Sequence, residues 1–309
     1  MSIVFSAVLV LVSFFGFLPT LKEKINFGKS PVAKLVFTAQ LKEAAPRLVI
    51  PKKNTDVPLP SLTAQAFFVL DPTSQTILAE QNSETEWPIA SLTKLMSALV
   101  TLDFYPKWDT VVKIRERWFR VGGFEYWRPN DEATVRDLFM MSLAASSNTA
   151  TIGLVEQTAL PQDEFVKRMN DKALKFQMYH THFAEPTGLD PTNVSTAREF
   201  ANLVRVALKR EEIREAVLAK SYELGNVVGK ARAVKVTDQL LTMGLDNPNY
   251  HLLGGKTGYL EESLYNMAAV AEFDGHELVV VVLGSKTSND RFADVKKLFQ
   301  FGFDNFIWQ

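Results

Sequence analysis

The sequence predicts a mixed α/β chain of the α+β kind, with one sheet completed by both ends of the folded region. Three observations predict it. Short apolar runs at 65–70 and 75–79 flank the turn signal Asp71-Pro72-Thr73-Ser74, as in a hairpin. From about 91 to 209 the apolar residues recur mainly at helical spacing. From Leu252 onward the period changes to strands, and Asp274-Gly275 separates apolar runs at 264–273 and 276–283 as a two-residue hairpin turn does.

The elements follow in order. Residues 3–18 are almost unbroken apolar, long for a signal-peptide core and short for a full span. Residues 1–20 therefore read as a signal peptide or signal anchor. Residues 21–60 read as a tether, kept extended by Pro46, Pro51, Pro58 and Pro60. After the first hairpin, Leu92, Leu95, Met96 and Leu99 form the stripe of a helix at 91–104, the most apolar helix of the folded region. Residues 105–133 are loop-rich, with Trp108, Trp118, Phe119, Phe124, Tyr126 and Trp127 around Gly122-Gly123. They read as a folded-over loop with its own cluster, or as an aromatic wall or membrane-touching surface. Helices are predicted at 134–145, 149–158 and 163–176. Another opens on the capping box Thr196 to Glu199 and runs over 197–209. A closing helix at 291–303 aligns Phe292, Val295, Leu298 and Phe299.

Composition narrows the function. A length of 309 residues allows one sizeable core plus an extension. A net charge of −1 gives no field that would draw the chain to nucleic acid. With no cysteine, disulfides, thiolate catalysis and Cys-ligated zinc are excluded. Gly28-Lys29-Ser30 is no phosphate loop, because Glu23 stands where the leading glycine is required. His180 and His182 would share one face of a strand, but a metal site needs a third ligand and none is evident. No metal and no cofactor are expected.

Three short stretches carry the chemistry. Ser91-Leu92-Thr93-Lys94 places a hydroxyl at a predicted helix start with an amine three residues on, on the same face. Such a pair is a nucleophile and its base, or a helix cap beside a solvated lysine. Ser146-Ser147-Asn148 and Lys256-Thr257-Gly258 follow in that order. Glu185-Pro186-Thr187-Gly188-Leu189, Asn193-Val194-Ser195-Thr196-Ala197-Arg198 and 288–294 complete the set. With these residues the chain resembles the low-molecular-mass penicillin-binding proteins, the D-alanyl-D-alanine carboxypeptidase and endopeptidase family of serine peptidases. The resemblance covers about 63–303.

That resemblance implies an antiparallel sheet covered by helices, beside an all-helical subdomain, with the cleft between them. It places a DD-peptidase domain at 61–309, without the C-terminal β-domain of many relatives. It implies Ser91 as nucleophile, Lys94 as base and Ser146 as the relay to the leaving nitrogen. Asn148 would donate to the substrate amide. Lys256 and Thr257 would bind its carboxylate, and Lys256 would supply a cation that lowers Lys94. Gly258 would let the substrate pair along the strand edge. Ser91 and Tyr259 would give the oxyanion hole through their backbone N–H groups. Arg291 would help hold the carboxylate, or else cap a helix or pair with Asp294.

The implied substrates are peptidoglycan stem peptides, with β-lactams as inhibitors and D-alanyl bonds as the point of attack. The location is extracytoplasmic, with the N-terminal apolar segment as a route to the membrane. Lys22, Lys24 and Lys29 follow that segment, which by charge alone would hold the rest inside; the external substrate outweighs this. Two other readings compete. In a class A-like β-lactamase Glu185 would activate a deacylating water, whereas the surrounding Thr187-Gly188-Leu189 makes it structural. The other is a catalytically idle cell-wall binding module.

Overall fold

Both halves of the sheet are in place where the sequence puts them. The computed structural model describes residues 49–54, 56–224 and 232–309. Strands β1 (Ala66–Asp71), β2 (Thr76–Gln81), β3 (His251–Leu260), β4 (Leu264–Phe273) and β5 (His276–Ser285) form a five-stranded sheet. Its order is β3-β4-β5-β1-β2, with every neighbour antiparallel. The early hairpin thus joins the late one through β5 and β1, and β3 is left at an edge.

Alternation along β5 explains its unbroken apolar run. Val279 and Val281 join one core cluster while Val280 and Val282 join the other, so both faces are covered. Helix α7 (Ser288–Asn305) covers one face with Phe292, Val295, Leu298 and Phe299. The other face carries α1 (Lys94–Leu102) and α5 (Ala197–Ala207), the latter capped by Thr196, which accepts from the N–H of Glu199. Around these stand α2 (Val135–Leu143), α3 (Asn148–Gln157), α4 (Gln162–Lys175) and α6 (Glu211–Leu218). All nine residues of α1 are buried, as its composition requires.

Three differences from the sequence reading have local causes. Within the span 21–60 expected as a tether, Pro51–Lys53 pairs antiparallel with Phe306–Trp308, and residues 21–48 of that span lie outside the described residues. A three-residue strand has no period to detect. Helix α6 was not expected, although Ile213, Ala216 and Val217 form its buried stripe. Trp118 and Trp127 of the aromatic loop are buried in the core, while Phe124 is 66% exposed, so the loop is both a cluster and a surface. The predicted N-terminal segment at 1–20 lies outside the described residues. Among the described residues no helix is long and apolar enough to cross a membrane.

Asp294 ties α7 to the start of the sheet. Its carboxylate accepts from the backbone N–H groups of Thr63 and Ala64 and from the hydroxyls of Thr63 and Ser285, at 2.9–3.2 Å. Replacing Asp294 with Asn would face an NH2 group toward buried donors. The expected loss is about 2 kcal/mol, read as a lower denaturation midpoint with an unchanged slope.

Candidate active site

Ser91 sits in a 3-10 turn, Ala90–Thr93, that runs directly into α1. The sequence suggested a helix cap as one role for Ser91. Instead that helix end has no side-chain cap, and the Ser91 hydroxyl accepts from Lys94 Nζ at 2.9 Å. Ala90 takes φ 49°, a left-handed conformation that costs a non-glycine residue about 1–2 kcal/mol. Gly188 (φ 85°) holds that turn in place. A Cβ there would lie 1.9 Å from the Ala90 carbonyl oxygen, so only glycine lets the two backbones approach this closely.

Ser146 also takes a left-handed conformation (φ 58°), which ends the α2 segment. Ser147 then caps α3 by accepting from the Ala150 N–H, and Asn148 becomes the first residue of that helix. This turn aims Ser146 and Asn148 at different lysines. Asn148 Oδ1 accepts from Lys94 Nζ at 2.8 Å, whereas Ser146 Oγ accepts from Lys256 Nζ at 2.9 Å. Lys94 also donates to the Thr187 carbonyl at 2.6 Å. Asn148 Nδ2 donates to the Gly122 carbonyl at 3.2 Å, which leaves its second N–H free to serve a ligand.

The third motif lies on the edge strand β3. A Cβ on Gly258 would approach the Ile89 carbonyl at 2.8 Å and the Ser91 nitrogen at 3.2 Å, so its glycine lets β3 lie against the Ser91 turn. Thr257 Oγ1 donates to Thr237 Oγ1 at 3.0 Å. Arg291, on α7, donates to the Gly258 carbonyl at 3.2 Å and stacks over Tyr265 and Phe292. It does not pair with Asp294, which is engaged elsewhere. Tyr259 is 48% exposed and stacks on Tyr265 with ring centroids 4.4 Å apart. Hydrogen bonds thus join Ser91, Lys94 and Asn148 in one group and Ser146 with Lys256 in another, while Gly258, braced by Arg291, sets β3 against the Ser91 turn.

Burial sets the electrostatics. Lys94 is fully buried, and desolvation brings it from 10.5 to about 7, with the Glu185 carboxylate opposing. Lys256 is held well below its ordinary range by burial first, then by the Lys94 and Arg291 charges. The sequence reading has Lys256 supply a cation that lowers Lys94; in the structure burial is the first cause at both lysines and works against the charge of Lys256 itself.

Glu185 is committed to its loop. It accepts from the N–H groups of Thr187, Gly188 and Leu189, and from the Thr187 hydroxyl. Asn193 clamps the same loop, donating to the Glu185 carbonyl at 2.9 Å and to Thr93 Oγ1 at 3.1 Å. Sequence reasoning named the stretch around Asn193 but not this role. It also passed over Asp238, buried behind β3. His180 does not turn to His182. It faces Glu86 at 3.4 Å, and His182 pairs through its backbone with Val194. Among the described residues no group of three or more His, Asp or Glu side chains gathers as a metal site would require.

The pattern of the peptidase S11 family, described as D-alanyl-D-alanine carboxypeptidase, matches residues 52–287. A D-alanyl-D-alanine carboxypeptidase of Escherichia coli K12 is 32% identical over 80% of this chain. The chain spans 63% of that relative's length. A D-alanyl-D-alanine endopeptidase of Pseudomonas aeruginosa is 29% identical, and the match covers 80% of each protein. The solved structure of penicillin-binding protein D2 from Listeria monocytogenes, in its ampicillin-bound form, superposes with a TM-score of 0.69. It is 28% identical, covering 80% of this chain and all of that one.

Proposed function

Because this chain belongs to the D-alanyl-D-alanine carboxypeptidase family of serine peptidases, we propose that it hydrolyses D-alanyl bonds of peptidoglycan stem peptides through an acyl-enzyme on Ser91. The observation that carries this reading is the 2.9 Å contact between the Ser91 hydroxyl and a fully buried Lys94 amine. A lysine near 7 is partly neutral at neutral pH, so it can accept the serine proton as Oγ attacks the D-alanyl carbonyl. The oxyanion that forms accepts from the backbone N–H groups of Ser91 and Tyr259, with one such donor worth ~3 kcal/mol. Ser146, held by Lys256, passes a proton to the leaving amine as the C–N bond breaks, and it regains one from protonated Lys94, which is left neutral again. Water then attacks the ester, Lys94 takes its proton, and Ser91 is released with its hydroxyl restored.

Lys256 and Thr257 bind the carboxylate of the substrate, with Arg291 bracing the strand through the Gly258 carbonyl. Asn148 orients the substrate amide with its second N–H. The bond cut is the terminal D-alanyl bond or the D-alanyl cross-link, and such substrates put the site of action outside the cytoplasm. β-Lactams are expected to acylate Ser91 and stay bound. In a β-lactamase Glu185 would activate a water, but here its oxygens are occupied by its own loop.

Labelled penicillin and mass spectrometry test the proposal. The expected result is one stable adduct on the protein and none on Ser91→Ala. Fast release of hydrolysed penicillin would support the β-lactamase reading, and no adduct at all would support the idle binding module. Digesting linear and cross-linked muropeptides then decides which bond is cut.

A further inference from the structure

Residues 115–127 form a strap that runs along α3 and is fixed to both ends of that helix. At the far end the Glu156 carboxylate accepts from the Arg117 guanidinium and from the Trp118 indole N–H, at 2.7 Å each. At the near end, beside the site, Asn148 donates to the Gly122 carbonyl. Glu125 there accepts from the Thr149 hydroxyl and from the N–H groups of Tyr126 and Trp127. Trp118 and Trp127 are buried, but Phe124, which lies between these anchors, is 66% exposed, so its ring does not serve the core.

The Phe124 ring instead faces the segment that supports β3. Lys235 Nζ lies 5.4 Å from its centroid. The strap meets the same segment at two more points: the Lys235 N–H donates to the Tyr126 hydroxyl at 3.0 Å, and Arg232 donates to the Tyr126 carbonyl. Two residues beyond Lys235, Thr237 accepts from Thr257 at 3.0 Å. These contacts close a circuit that runs through Asn148, Gly122, Phe124, Lys235, Thr237 and Thr257. Ser146 stands two positions before Asn148, and Lys256 adjoins Thr257. Two crossings therefore join the α2–α3 turn to β3. One is direct, from Ser146 to Lys256. The other passes through the strap, from Phe124 to Lys235.

We propose that Phe124 and Lys235 are specificity-determining residues: their crossing limits the leaving side of the site to one amino acid, so the protein releases terminal D-alanine and excludes the longer amine of a cross-link. This rests on the DD-peptidase reading, in which the leaving amine takes its proton from Ser146 and the substrate carboxylate lies at Lys256 and Thr257. A leaving group of one residue ends at that carboxylate. One that continues as a peptide has to pass Thr257 toward Thr237, where Lys235 and Phe124 obstruct it. Obstruction selects against the larger substrate without any new contact to the smaller one. Both side chains are exposed, so either can be truncated without opening a cavity in the core.

Phe124→Ala and Lys235→Met test this in the full chain, on linear muropeptides ending in D-alanyl-D-alanine and on cross-linked dimers. The wild type should cleave dimers about tenfold or more slowly than it trims linear muropeptides. Phe124→Ala should raise kcat/KM on dimers by about tenfold, and Lys235→Met by less, while trimming and penicillin adduct formation stay within about twofold. A wild type that cleaves both substrates equally well overturns the proposal, as does a Phe124→Ala protein with an unchanged ratio. Loss of trimming in Lys235→Met would make that lysine a substrate ligand and overturn it too. The crossing itself is read by NMR on lysine labelled with 13C at Cε. The ring should shift the Lys235 Cε protons upfield, with Lys235→Met assigning the signal and Phe124→Ala abolishing the shift; no upfield shift in the wild type overturns the proposal. A wild type without a penicillin adduct fails the DD-peptidase reading, whereas an adduct with an unchanged substrate ratio fails the crossing alone.

Discussion

Lys94→Met is expected to slow acylation of Ser91 by about 10²–10⁴-fold, the range that a positioned base contributes. Methionine fills much of the same volume, so the buried site is not left with a large cavity. The loss should fall on the acylation rate constant more than on the affinity of the first encounter complex. The pH dependence gives a sharper check. In the wild type, acylation should rise about tenfold per unit below pH 7, as Lys94 loses its proton, and then level off. That limb should be absent in Lys94→Met.

The same residue fixes how stability varies with pH. Lys94 titrates near 7 when folded and near 10.5 when unfolded. Between those values the unfolded chain holds a proton that the folded chain has released. Stability contributed by this group is therefore lowest below about pH 7 and rises with pH across the window. Lys256 is lowered too and adds in the same direction. Urea unfolding at pH 7 and pH 9 should show the wild type gaining more than Lys94→Met. An equal gain in both would place the titrating group elsewhere.

Gly188→Ala is the second large effect. The added methyl would sit 1.9 Å from the Ala90 carbonyl oxygen and 2.9 Å from the Ser91 nitrogen, at φ 85°. Both obstacles are backbone, and neither can rotate away. The left-handed φ costs about 1–2 kcal/mol, and forced displacement of packed groups adds about 1–3 kcal/mol. A loss of about 4 kcal/mol is expected, a large share of the 5–15 kcal/mol typical of a domain. Displacement of the Ala90–Ser91 peptide should also remove most acylation. Gly123→Ala is the matched control: its φ is 78°, but nothing lies within 4 Å of the added methyl. It should lose about 1 kcal/mol by denaturation and keep its acylation rate. Similar losses in the two variants would mean that the contact with Ala90 is unimportant.

Much of this could be read from residues alone, and the reasons differ by element. The late hairpin was legible because Asp274-Gly275 has one strong meaning between apolar runs. The site was legible because three motifs recur in a fixed order. Boundaries set by the tertiary structure were not. Ser91 looks like a helix cap, but Gly188 and Gly258 pack against its turn, which is a 3-10 start whose first residue is the strained Ala90. Pro51–Lys53 carries no period, and only its distant partner makes it a strand.

The strand order also dictates when the crevice can exist during synthesis. Its parts are far apart in the chain, with Lys94 and Asn148 separated by 54 positions and Ser146 and Lys256 by 110. The early hairpin emerges first and must wait for β5 to cover the open side of β1. Long-range pairings of this kind form slowly, because ring closure comes before any contact is gained. A chain interrupted before residue 251 therefore carries Ser91 and Ser146 without Lys256 or the strand β3 that holds it. On the proposed mechanism only finished molecules would form the penicillin adduct, and the waiting β1 edge is where an interrupted chain would clump.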